Sequence, residues 1–276
     1  MSGSSQGVEA VFGFDPSRAH SGRIHDVLLG AGKDAYSVDH DAGTELIERV
    51  PAFQRTARVT RAWLLRAVEY LAAEHGVRQF VELGAGYPCP PNVHEVVAAY
   101  APDARTLYVD VDPVVTAHGR VFLQGDRTFV AQADIGDADR VIAEIRAVMD
   151  TCRPVAMCLP FVVEFLPDPS AVVDAIAGVL PRGSYVVLSH ITGDVGAEAA
   201  GLAAEIYGQF EIDFRLRSWD EIAELLAGCE LVEPGKVAPH LWRPPTVASR
   251  FVGPPFGGDR SVLGDVCCYS AVALLR

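Results

Sequence analysis

From Gln79 onward the chain alternates short apolar runs with segments of helical period, and this alternation narrows the possible folds more than anything else in it. Residues 79–83, 106–111, 128–133, 154–159 and 184–189 read as strands, separated by helical patterns at 92–100, 113–123, 137–149 and 170–180. Pro113 suits the first turn of its helix. Strand–helix–strand steps of this length cross over right-handed and build a parallel sheet covered on both faces. Helices are expected at 196–210 and 218–227, the second with Ser218 and Glu221 as a capping box. Strands at 231–237 and 265–275 would then close the sheet as an antiparallel hairpin, with a Pro- and Gly-rich loop at 239–258 between them. The expectation is an α/β, doubly wound, mostly parallel seven-stranded sheet over residues 77–276. Residues 18–76 read as an N-terminal helical lid, with helices at 41–50 and 52–73, and the Ser/Gly-rich residues 1–17 as a disordered tail.

In such a sheet a ligand lies outside the carboxyl ends of the strands, so the turn after the first strand matters most. That stretch, QFVELGAGYPCPP over residues 79–91, carries Glu82 at the strand end and then Gly84 and Gly86, where the backbone can approach a ligand without a Cβ in the way. A buried acid such as Glu82 needs hydrogen bonds or a cation to face. Asp110 ends the second strand at a spacing beyond the glycine turn that suits the two hydroxyls of a ribose. The dinucleotide fingerprint stops there. After Gly86 come Tyr87, Pro88, Pro90 and Pro91, where a diphosphate would need a third glycine and free backbone donors. The loop suits a nucleoside without phosphates, such as S-adenosylmethionine; the plainer reading is a tight strand-to-helix turn with no ligand.

Other residues carry weaker signals. Asp134 follows the third strand and could accept the adenine amino hydrogens while Ile135 packs on the ring, or could simply cap the next helix. The fourth strand ends at Leu159, and its tip should border the reacting group. Glu164, flanked by Val163, Phe165 and Leu166, is either a base of raised pKa or an exposed loop acid. His190, after the fifth strand, is a general-base candidate or a structural donor. The arginines at 55, 58, 61 and 66 mark a solvated helix face, or one of them reaches a cofactor carboxylate. The Gly30–Gly32 break is either a phosphate loop lacking the preceding strand and the Walker spacing, or a helix–loop–helix packed on the sheet. His94 and Glu95 lack the spacing and third ligand of a zinc site, so no metal is expected, and no GxSxG elbow marks a serine hydrolase.

Composition narrows the partners. Acids outnumber bases 36 to 23, giving a formal charge of −13, which argues against nucleic acid and for a small or neutral substrate. No apolar run is long enough to span a bilayer and the first residues carry no signal core, so a cytoplasmic protein is expected. The six cysteines show neither CxxC nor metal spacing and read as reduced thiols.

The order of glycine turn, ribose acid and adenine acid resembles the class I S-adenosylmethionine-dependent methyltransferases. More narrowly, RIHDVLLGAGKDAYSVD at 23–39, VELGAGYPCPPNVHEVV at 81–97, LYVDVDPVVTAHGR at 107–120 and LPRGSYVVLSH at 180–190 resemble an actinobacterial methyltransferase family long catalogued as a domain of unknown function. PPNVHEV is the distinctive piece. The resemblance implies the Rossmann-like methyltransferase fold, cofactor contacts at Glu82, Gly84, Ala85, Gly86, Asp110, Val111, Asp134 and Ile135, and a lid at 33–36, where Tyr36 joins His190 and Glu164 as a catalytic candidate. The chain departs from the family pattern with Glu82 in place of an aspartate, Tyr87 and Cys89 in the proline loop, and Ala31 before Gly32. These differences lie near the pocket and hint at a specialised substrate. The function expected is methylation of oxygen or nitrogen on a small specialised metabolite. A cyclisation or rearrangement that uses the cofactor's charge, and a regulatory protein that only binds it, remain open; a nicotinamide dehydrogenase is disfavoured by the proline-filled loop.

Overall fold

The computed structural model describes residues 14–244 and 266–276. Residues 1–13 of the tail expected at 1–17, the greater part of the loop from 245 onward, and Asp265 lie outside the described residues. Seven strands form one sheet in the order β3-β2-β1-β4-β5-β7-β6: β1 (Gln79–Leu83), β2 (Arg105–Asp110), β3 (Thr128–Gln132), β4 (Ala156–Leu159), β5 (Tyr185–Ile191), β6 (Cys229–Leu231) and β7 (Cys268–Leu275). The first five are parallel, and β7 runs antiparallel between β5 and β6. This is the expected doubly wound, mostly parallel sheet.

Helices α1 (Ser21–Leu29), α2 (Ser37–Arg49) and α3 (Pro51–Glu74) precede the sheet; α4 (Val93–Ala98), α5 (Pro113–Phe122), α6 (Ala138–Val148) and α7 (Pro169–Ala177) make the crossovers; α8 (Ala197–Gln209) and α9 (Trp219–Glu224) follow β5. The strands read as continuous apolar runs because both faces are covered. Val81, Leu107, Met157 and Val186 face the core shared with α6, α7 and α9, while Phe80, Tyr108, Cys158 and Val187 face α3 and α4. A third cluster joins the N-terminal helices to α8 through Ile24, Leu46, Phe53, Phe161, Tyr207 and Phe214.

Two strand boundaries differ from expectation, and the break at Gly30 follows the helix–loop–helix reading rather than the phosphate loop. The sixth strand is Cys229–Leu231, because Pro234 removes an amide and Gly235 turns the chain at a φ of 85°, leaving Val237 only an isolated bridge to Ser270. The fifth strand runs on to Ile191, so His190 lies within it and pairs with Tyr269. The break after α1 is a helix C-cap: Gly30 takes a φ of 90° and its amide bonds back to Asp26 and Val27. Ser218 and Glu221 form the expected capping box at α9.

The strand order reverses at β1, whose neighbours are β2 and β4. This switch point opens a crevice at the carboxyl ends of those strands.

Candidate functional site

The crevice is a cavity of about 230 Å³. Its floor is the β1 turn with Glu82, Gly84, Ala85 and Gly86; one wall is Asp110 and Val111 after β2 with Asp134 and Ile135 after β3; the opposite wall is Pro160, Phe161 and Val162 after β4. Helix α1 roofs it with Ser21, Gly22, His25, Asp26 and Leu29, and α3 adds Thr60, Arg61 and Leu64.

The floor is shaped by its glycines. Gly84 has a φ of +69°, and a Cβ there would stand 2.3 Å from Cγ2 of Val162. The Gly84 and Ala85 amides are spent on Val109 O, at 2.8 and 3.0 Å, and the helix after the loop starts only at Val93. The turn therefore offers close approach without the free amides a phosphate needs, which fits a nucleoside. Asp110 braces the turn: Gly86 N donates to its Oδ2 at 2.9 Å and Asp112 N to its Oδ1 at 3.0 Å. Each carboxylate oxygen accepts two hydrogen bonds, so the pair keeps capacity for the hydroxyls of a ribose. Burial pushes the Asp110 carboxyl up, and the nearby His20 draws it back down.

Glu82 is 2% exposed and accepts from Arg61 Nη1 at 3.0 Å. Arg61 Nη2 also donates to the carbonyls of Cys89 and Pro91, both at 3.1 Å, tying α3 to the proline loop, while its Nε is buried without a partner. Burial raises the Glu82 pKa, Arg61 opposes the shift, and Asp110 adds to it. A buried acid, a cation and an unfilled donor at one end of the cavity match an amino-acid moiety, which carries one charge of each sign. Of the four arginines singled out in the sequence, Arg61 is the one at the cavity, whereas Arg66 is buried against Pro239 O at 2.7 Å.

The roof is clipped in place by buried charge. Arg23 Nε lies 3.3 Å from Asp39 at the start of α2 and 3.4 Å from Asp112, which caps α5 through Val114 N and Val115 N. His20 N donates to Asp39 Oδ1 at 2.9 Å. Where α1 meets the floor, Gly22 and Gly86 approach backbone to backbone, a Cβ at Gly22 standing 3.8 Å from Gly86 Cα.

The structure brings eight of the expected contacts to this cavity: Glu82, Gly84, Ala85, Gly86, Asp110, Val111, Asp134 and Ile135. Leu159 lies in the core below it. The three catalytic candidates are elsewhere. His190 is fully buried, with Nδ1 donating to Ile191 O at 2.6 Å and Nε2 accepting from Arg217 Nη1 at 2.9 Å. Its one acceptor nitrogen is thus filled by a cation, and burial lowers its pKa to about 4. Glu164 sits in the short 3₁₀ turn Val163–Phe165, fully buried, where it accepts from Ile191 N at 2.8 Å. Burial raises its pKa to about 7, but its carboxyl does not reach the cavity. Tyr36 precedes α2, its amide bonded to Asp39 and its ring facing Arg23 and Phe14. The segment expected as a lid touches the proline loop instead, through the Tyr87 hydroxyl that donates to Asp34 O at 2.9 Å. Among the described residues no cluster of His, Cys, Asp and Glu could hold a metal ion, and no helix is long and apolar enough to cross a membrane.

The sequence reading missed His25, Phe161 and the roof face of α1. Residues 21, 22, 25, 26 and 29 fall on one helical stripe, the signal that was there to find.

Comparison with known proteins agrees with this geometry. A family model described as S-adenosyl methyltransferase matches residues 9–275. The crystal structure of a DUF574 family protein from Streptomyces avermitilis is 36% identical with a TM-score of 0.85, covering 94% of this chain and 98% of that one. A proposed methyltransferase from Thermobifida fusca is 32% identical with a TM-score of 0.84, covering 94% and 96%. The comparison with curated proteins gives no match.

Proposed function

The chain belongs to the S-adenosyl methyltransferase family, with S-adenosylmethionine as its cofactor, and from that premise we propose that it methylates an oxygen or nitrogen of a small specialised metabolite. The observation that carries the reading is the roofed cavity, whose lining combines the polar Arg61, Glu82, Asp110 and Asp134 with the apolar Leu29, Leu64, Phe161, Phe165 and Leu166. In this assignment Asp110 accepts the ribose hydroxyls, Asp134 the adenine amino group, and Val111 and Ile135 flank the base. Glu82 and Arg61 hold the ammonium and carboxylate of the methionine end. The bound cofactor supplies a methyl on a sulfonium, a group that needs no further activation. The chain's share of catalysis is then to align the nucleophile in a cavity shielded from water. Residues 18–76 serve as the roof of an α/β domain that spans 77–276. An excess of acidic residues favours a small or neutral substrate over nucleic acid.

The test is product accounting. Purified protein incubated with S-adenosylmethionine and a library of hydroxylated and aminated metabolites should give S-adenosylhomocysteine and a methylated product in equal amounts. Cofactor consumption without a methylated product would instead point to cyclisation or rearrangement. Cofactor binding without turnover across the library would favour a regulatory role.

A further inference from the structure

His25 lies on the roof helix and lines the cavity, with its ring against Phe161, centroids 5.0 Å apart. It makes no hydrogen bond among the described residues, and its Nδ1 is buried without a partner. A neutral imidazole has one donor and one acceptor, and leaving both unused in a cavity wall costs free energy unless a ligand takes them. Phe161 is itself held in an unusual place. It has a φ of 53°, rare for a bulky residue, and is fixed there by its amide donating to Ser189 Oγ at 2.9 Å. Behind it Phe53, Phe165 and Phe214 pack as an aromatic cluster. The strained residue thus holds an aromatic ring against the unengaged imidazole in the cavity wall.

We infer that His25 is the catalytic residue that takes the proton from the nucleophile, and that the nucleophile is the hydroxyl of a phenol lying on the Phe161 face. The inference rests on the methyltransferase reading above. As the phenol oxygen forms its bond to the methyl carbon, the sulfur–carbon bond breaks with its electron pair going to sulfur. His25 takes the hydroxyl proton, so the single positive charge passes from sulfonium to imidazolium. The base must be neutral beforehand, and burial, with Arg61 as a smaller contributor, lowers the His25 pKa to about 4. The other titratable groups around the cavity are His20 and Asp26 from the α1 segment, Arg61 from α3, Glu82, Tyr87 and Cys89 from the β1 turn, Asp110 from β2 and Asp134 after β3. His20 Nδ1 accepts from Gly22 N at 3.3 Å, the Tyr87 hydroxyl donates to Asp34 O, and Asp134 Oδ1 accepts from Gly136 N. Glu82 is occupied by Arg61, and Asp110 by the Gly86 and Asp112 amides. Burial raises the Cys89 thiol above its usual value and raises Asp26. His25 is the group of this set with an open acceptor nitrogen at the aromatic wall.

The experiment compares wild-type protein with His25→Gln and His25→Asn, using 2-naphthol and 4-nitrophenol as probes. S-adenosylhomocysteine affinity, read by calorimetry, should stay within about twofold in both variants, whereas a general base is worth about a hundredfold or more in rate. Methyl ether formation from 2-naphthol should therefore fall by about that factor in the variants. Turnover of 4-nitrophenol, which ionises in mildly alkaline buffer unaided, should be nearly unchanged. Loss of S-adenosylhomocysteine affinity in both variants would make His25 a cofactor ligand and overturn the inference. So would equal losses on both phenols, or failure of the S-adenosylhomocysteine-loaded wild type to bind either one. Failure of the wild type to bind S-adenosylhomocysteine at all would instead strike at the methyltransferase reading beneath it.

Discussion

Asp110 has two tasks at once, and this makes it the most sensitive single side chain at the site. Its oxygens hold the Gly86 and Asp112 amides in place while facing the cavity. Asp110→Ala removes the ribose acceptor and orphans two backbone donors, each loss costing roughly 1–3 kcal/mol. S-adenosylmethionine affinity by calorimetry should drop at least about a hundredfold. A variant that binds within a few-fold of wild type would show that the ribose is held elsewhere. Gly84 is constrained in a different way. Gly84→Ala sets a methyl 2.3 Å from Val162 and forces a side chain to a φ of +69°, a backbone cost on the order of 1 kcal/mol even without the contact. Binding should be lost in Gly84→Ala and regained only in part by Gly84→Ala/Val162→Ala, since the second change removes the Cγ2 contact but leaves the residue 162 Cβ at 2.9 Å and the backbone strain. Full recovery would mean that the φ is immaterial.

At the scale of elements, the roof is a helix packed into the core through Ile24 and Leu28 and clipped by one buried arginine. Arg23 is 3% exposed and stands between Asp39 and Asp112, so Arg23→Ala leaves two buried carboxylates without their cation. Breaking such a group costs on the order of 3–5 kcal/mol. The variant should unfold at clearly lower denaturant, and amides of α1 should exchange faster than those of β1 and β4 when followed by mass spectrometry. Uniform exchange across the chain would show that α1 has no separate hinge on this clip. The same contrast explains what could be read from the sequence. The strands were legible because, covered on both faces, they are unbroken apolar runs, and the cofactor side was legible because a glycine turn and the acid beyond it act through local backbone geometry. The roof was not. His25 looks like an ordinary polar position on an amphipathic helix, and although one of the four arginines of α3 is a candidate from the sequence, only tertiary packing singles out Arg61 and turns both faces toward the cavity. His190 misled because a strand two residues longer than expected, together with Arg217 from beyond α8, withdraws it from the crevice.

For the molecule as a whole, the residues set aside from catalysis govern how stability responds to pH. Glu164 and His190 lie 3.9 Å apart in the core beneath α8 and are held neutral by burial, the acid raised to about 7 and the imidazole lowered to about 4. An acid with a raised folded pKa keeps a proton that the unfolded chain has released, so its contribution is present below about 4.5 and lost as pH climbs to about 7. A histidine with a lowered folded pKa refuses a proton that the unfolded chain takes, so its contribution is lost as pH falls from about 6.5 toward about 4. Between those limits the two slopes oppose each other, and His25, lowered to about 4 as well, leaves a net loss on the acid side. Glu164→Gln keeps an acceptor for the Ile191 amide and cannot ionise. It should match wild type near pH 4.5 and exceed it progressively up to pH 8, by a margin on the order of 2–3 kcal/mol, so that stability climbs more steeply with pH than in wild type. Urea titrations at half-unit pH intervals measure both curves. A constant gap between them would mean that Glu164 carries the same charge in the folded and unfolded chain, and that its burial is compensated by groups other than the Ile191 amide.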